Sequence, residues 1–161
     1  MRFVGVAVLA SQFFEIVFVL VARFALKHPH AESADDVAPL PNGAFKQAVT
    51  ALVKELRAAE HISLDLADRV IAFTEDRNLL VHRILFSKTD PNLSDADFFD
   101  ALIHLSRRVY AEALSLCSNL FDTLLEYTAR FPEAAESANQ LRTKLVGFAD
   151  WSGELHARVF D

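Results

Sequence analysis

LDLADRVIAFTEDRNLLVHRILF, residues 64–86, is the stretch on which the fold turns. Its apolar residues recur at three- and four-residue intervals, the spacing of one helical face. Ser63 before it is a good N-cap, and Asp65 in the first turn suits the helix dipole. A straight helix over 64–86 puts Leu64, Ala67, Val70, Ile71, Thr74, Val81 and Leu85 inward. Asp65, Arg69, Asp76 and Arg83 gather on the opposite, solvated side. Asn78 then falls inside the apolar sector, with Arg77 within about 50° of its centre at helical periodicity. His82 sits at one edge, one turn above Asn78, and Glu75 one turn below it. An amide and a guanidinium stand where a bundle would normally take leucine, and each needs a partner.

The flanking segments read as more helices. An apolar helix runs from about Arg2 to Lys27, and a second from about Ala44 to Ala59 behind Asn42 as N-cap. The inner stripe of the second is Phe45, Ala48, Val49, Leu52, Val53 and Leu56. A long helix from Asp95 to about Arg130 follows, with Ser94 and Asp97 resembling a capping box in which Asp replaces the usual Glu. Phe98, Phe99, Leu102, Leu105, Val109, Leu116, Leu120, Leu124 and Tyr127 form its inner stripe. A fifth helix starts at Pro132 and reaches about Phe148, and a tail over 151–161 has no clear assignment. The expectation is one all-α domain over 1–161, a bundle of about five helices with a connector at 28–42.

Composition agrees with that class. The chain has 161 residues, 52% of them hydrophobic, which is enough for one well-filled core. The formal charge of −6 argues against a broad nucleic-acid-binding surface but leaves room for a small local anion site. The single cysteine, Cys117, excludes an internal disulfide framework and reads as core. A reducing cytoplasm is the natural compartment. His28-Pro29-His30 reads as a solvated loop, because no further metal ligand has diagnostic spacing; no metal and no cofactor are expected. Glu60-His61, and His104 with Arg107 and Arg108, read as surface.

The N-terminal helix admits three readings: a buried bundle helix, a membrane anchor or a signal peptide. Gln12, Glu15 and Arg23 are costly in lipid, and the cleavage signal near residues 22–25 is weak. The buried helix is favoured and a membrane location is not expected. A helix apolar on all sides must be covered on all sides, so a homodimer burying the remaining face is expected.

Two readings compete for the polar cluster. In the structural one, Arg77 pairs with a buried carboxylate such as Glu15, Asn78 bonds a neighbouring helix and His82 is an ordinary edge histidine. In the functional one, Arg77 holds a phosphate by its planar fork, His82 moves a proton near neutral pH, and Asn78 and Glu75 support or orient them. Arg77 and His82 lie roughly 140° apart on a straight helix, so one protomer presents them poorly to the same atom. Two such helices meeting across a two-fold axis would bring both pairs into one groove.

Arg77-Asn78-Leu79-Leu80-Val81-His82 resembles the signature of the HEPN domains, an arginine, a polar residue, a short variable run and a histidine. The all-helical character, the length and the place of the motif late in a central helix resemble them as well. That resemblance implies a homodimeric bundle with a composite cleft at the dimer interface. In catalytic members it implies metal-independent RNA cleavage by attack of the ribose 2′-hydroxyl on the adjacent phosphate. Arg77 and His82 would be catalytic and Asn78 supporting, with RNA or a nucleotide as ligand. Many such domains are toxins or defence proteins restrained by an antitoxin or regulatory partner, and others are non-catalytic or nucleotide-binding. Arg83 follows the histidine where glycine is frequent.

Overall fold

The computed structural model describes residues 2–31, 48–83 and 94–131, together with positions 136, 139–140, 143, 146–147, 150, 154 and 157. Four long helices carry the described fold: α1 (Arg2–Val21), α2 (Val49–Ala58), α3 (Leu64–Asn78) and α4 (Asp95–Thr128). No strand occurs among the described residues. The isolated positions between 136 and 157 are exposed where described, and those assigned are helical. The expected Asn42 cap, Phe45, Leu85, the side chain of Arg83 and most of the fifth helix and tail lie outside the described residues.

The helix starts follow local chemistry. Ser63 accepts a hydrogen bond from the Leu66 amide at 3.2 Å, and Ser94 accepts one from the Asp97 amide at 3.1 Å. Each satisfies one of the orphan donors that every helix N-terminus leaves. The Ser94 hydroxyl also donates to the Asp97 carboxylate, so the aspartate variant of the capping box closes through the side chain. At the other end of α2, Glu60 takes a left-handed conformation with φ 57°. The His61 amide then reaches back to the Leu56 carbonyl at 2.9 Å, and the Glu60 amide to Arg57. This is the terminator that usually has glycine at its turning point.

Two helices end in a wider turn. Residues Ala22–Leu26 after α1 and Leu79–Arg83 after α3 are π-helical, where uninterrupted α-helix was expected in both. Such turns occur mostly as single insertions and frequently at functional sites.

The core lies between α1 and α4, flanked by α2 and α3. Phe14, Phe18, Leu52, Leu56, Leu80, Leu116 and Leu120 are fully enclosed. Phe14 stacks on Phe18 at 5.7 Å and meets Phe73 of α3 edge to face at 4.7 Å, geometries favoured by the ring quadrupoles. The 25-residue segment Arg2–Leu26 is long and apolar enough to cross a membrane, and half of its most apolar window is buried against the rest of the fold. Along α1, Arg2, Gly5, Leu9, Gln12 and Ile16 form the exposed stripe.

Two inner stripes differ from expectation. In α3, Leu64 is 61% exposed, while Phe73 and Leu80, outside the expected face, are buried. The core face is therefore centred on Ala67, Val70, Phe73 and Leu80. Arg77 shares the Phe73 face at i+4, and Asn78 moves to its edge, the reverse of the wheel drawn for a straight helix. In α4, Phe98 is buried but Phe99 is 44% exposed; the two neighbours cannot both face inward on a helix, and they pack against each other edge to face at 5.6 Å. In α2, Val49, Leu52, Val53 and Leu56 are buried as expected, and Ala48 is exposed.

Candidate functional site

The site lies where side chains of α1 reach α3 beside the start of α2. Phe14 and Phe73 close the apolar part of that contact, and the next positions outward are Glu15 and Arg77. Glu15 is the one acidic residue between Arg2 and Leu26. Its Oε1 lies 3.1 Å from Nη2 of Arg77, with the two side chains 34% and 22% exposed. Arg77 Nη1 donates to Asn78 Oδ1 at 3.1 Å. Arg77 Nε is buried and has no hydrogen-bond partner among the described residues. The guanidinium carries five N–H donors, so the pairing with Glu15 uses it incompletely. A half-buried pair of this kind is worth on the order of 1 kcal/mol, towards the upper end for exposed pairs. The unpartnered Nε costs a comparable amount.

These groups line a cleft of about 550 Å³. Gln12, Glu15, Thr50, Thr74, Arg77 and Asn78 supply its polar lining, and Ile16, Val19 and Val49 are among its apolar walls. Thr74 donates its hydroxyl to the Val70 carbonyl at 2.8 Å, leaving only its lone pairs to face the cleft. The arrangement suits a ligand that is anionic at one end and apolar or planar at the other.

The remaining candidates are not brought to the same place. His82 is exposed on the π turn and does not line the cleft; Glu75 is exposed on α3 and does not line it either. A π turn advances less per residue than an α turn, so Arg77 and His82 lie closer in azimuth than a straight helix would set them. Among the described residues, Asn78 bonds Arg77 rather than a neighbouring helix.

Three other features clarify the setting. Asp76 and Arg69, expected on a solvated face, instead reach α4. Arg108 donates from Nε and Nη2 to the two Asp76 oxygens at 2.6 and 2.7 Å. Arg69 donates to Glu112 at 2.9 Å and to Ser115 at 2.9 Å. These pairings run α3 and α4 antiparallel. The hydrogen bonds that Arg108 donates to the Asp76 carboxylate raise its pKa, desolvation partly opposing them. Cys117 is buried, which pushes its thiol up to about 12. At the far end of the fold, His28, His30 and His61 line one shallow hollow beside Lys27. No group of three or more potential ligands among the described residues is placed to hold a metal ion.

No protein-family model matches the chain, no curated protein sequence matches it, and no solved structure matches it. The family resemblance rests on the six-residue motif and the helical architecture.

Proposed function

We propose that the protein is a homodimeric HEPN-type ribonuclease that binds RNA phosphate at Arg77 and cleaves it without a metal ion. The observation that carries this reading is the open cleft lined by Arg77 and Asn78, one turn from the exposed His82. A guanidinium at a cleft wall, with its planar fork, is the group best shaped for a phosphodiester. His82, standing outside its own protomer's cleft, is free to serve the groove formed with a second copy. There its imidazole takes the proton from the 2′-hydroxyl or returns one to the leaving 5′-oxygen. Asn78 holds Arg77 by its Nη1 edge. The single cysteine fits a reducing cytoplasm, and the resemblance implies a toxin or defence role restrained by a partner protein.

The test is incubation of the purified protein with RNA in EDTA. Wild type is expected to yield fragments ending in 2′,3′-cyclic phosphate, and His82→Ala and Arg77→Ala to lose most of that activity. Intact RNA with wild type, or undiminished cleavage by both variants, contradicts the proposal.

The Glu15–Arg77 pair favours a second reading, a non-catalytic helical interaction or nucleotide-binding module in which the motif arginine is structural. That reading expects Arg77→Ala to lower the melting temperature while wild type leaves RNA intact.

A further inference from the structure

Building on the reading of Arg77 as the phosphate-binding group, we propose that Glu15 is a latch that phosphate must displace. Three facts of geometry lead there. Glu15 takes Nη2 at 3.1 Å, Asn78 takes Nη1 at 3.1 Å, and Nε is buried. The position held by the Glu15 carboxylate is therefore the one a ligand oxyanion needs. Two anions cannot share it, since like charges at that distance repel strongly.

The latch is built to open. Glu15 is 34% exposed and stands at the cleft wall between Gln12 and Ile16, both on the exposed stripe of α1. Its carboxylate can swing into water as the incoming phosphate takes over the neutralisation of Arg77. Arg77 cannot follow it, being tethered to Asn78 and packed on the core face of α3. Only the acidic partner moves, and the cationic one stays aimed into the cleft.

The consequence is selectivity. A small free anion gains one charged contact at Arg77 and must evict a carboxylate that makes the same contact. An oligonucleotide gains further contacts along the apolar walls and displaces Glu15 with surplus. Glu15 thus weakens binding of every anion, and leaves occupied sites to ligands with more than a phosphate to offer.

The experiment uses the full chain and a fluorescent RNA oligonucleotide with 2′-O-methyl riboses, which binds but lacks the attacking hydroxyl. Glu15→Gln keeps the shape and removes the charge, and is expected to bind at least about threefold tighter than wild type, as loss of a competing ion pair predicts. Arg77→Gln is expected to weaken binding, and the double variant to lose the gain. In wild type, the Glu15 side-chain carboxyl carbon, observed by NMR, is expected to move towards the position of a solvated glutamate as the oligonucleotide is added; this readout does not depend on any variant folding. If Arg77→Gln weakens binding but Glu15→Gln gives no gain, or the Glu15 carbon stays put at saturation, the latch is wrong and the phosphate site stands. If Arg77→Gln binds as wild type does, the phosphate site is wrong and the latch falls with it.

Discussion

Asp76 and Arg77 are neighbours on one helix, and each forms an ion pair with another helix, yet the two pairs differ in almost every physical respect. Asp76 meets Arg108 through two parallel hydrogen bonds, with both carboxylate oxygens used and the arginine largely exposed. Arg77 meets Glu15 through one ion-pair contact, Nη2 to Oε1 at 3.1 Å, at the wall of a cleft, with a buried Nε left over. The first clasps α3 to α4 with its carboxylate engaged through both oxygens. The second is incomplete, and incompleteness at a cleft is what binding requires. A salt bridge therefore marks a candidate site by the cleft it lines, where a competing anion can reach it.

The largest expected effect concerns the frame that holds both pairs. Phe14→Ala empties a fully enclosed ring site against Phe18 and Phe73, and should lower stability by about 3–5 kcal/mol. Denaturant unfolding measures it, and a loss under about 1 kcal/mol would mean that the α1–α3 contact is not packed as described. Next comes the contrast itself. Asp76→Asn and Glu15→Gln each remove one acidic partner, and both should cost only about 0.5–1 kcal/mol. Adding salt should shrink the Asp76–Arg108 coupling in a double-mutant cycle, because that pair is exposed. The Arg77–Glu15 coupling should shrink less. Equal salt sensitivity would erase the distinction between clasp and cleft.

Burial of Cys117 gives a pH-dependent expectation. Its thiol is pushed up to about 12 from an ordinary 9.0, so the native state keeps the proton that the unfolded chain releases. The associated stability is complete below about 9.0 and is lost as the pH rises towards about 12. The same burial should leave the native thiol unreactive to a thiol reagent at pH 8 until the protein unfolds. Rapid labelling of the folded protein contradicts it. The smallest effect is a gain. Glu60→Gly relieves a left-handed residue at the end of α2, and should raise stability by about 0.5–1 kcal/mol.

How much of this could be read in advance depends on range. The Ser63 and Ser94 caps were legible because a cap is settled within four residues. The Glu15–Arg77 pair was legible because an apolar helix with one carboxylate and an inward arginine have few other ways to satisfy each other. The inward face of α3 differs from that of a straight α-helix because Leu79–Arg83 is π-helical, and nothing in LLVHR announces a π turn. Phe73 and Leu80 then decided the face, through partners on α1 and elsewhere in the core that periodicity alone does not weigh. Arg69 and Asp76 looked solvated because charges opposite a core stripe usually are. Their partners Glu112 and Arg108 lie more than thirty residues away, on a helix whose placement the sequence does not disclose. Glu60 carried no signal at all, since its turn is the one where glycine is the usual marker.

The contrast between the two pairs is tested most directly by the thermal shift that the 2′-O-methyl oligonucleotide produces in three proteins. A ligand that binds the native state raises its melting temperature by an amount that grows with the logarithm of ligand concentration over Kd. Wild type and Asp76→Asn should show the same ligand-induced rise, and Arg77→Gln little or none. A rise retained in Arg77→Gln, or lost equally in Asp76→Asn, would contradict the assignment of the phosphate site to the cleft between α1 and α3.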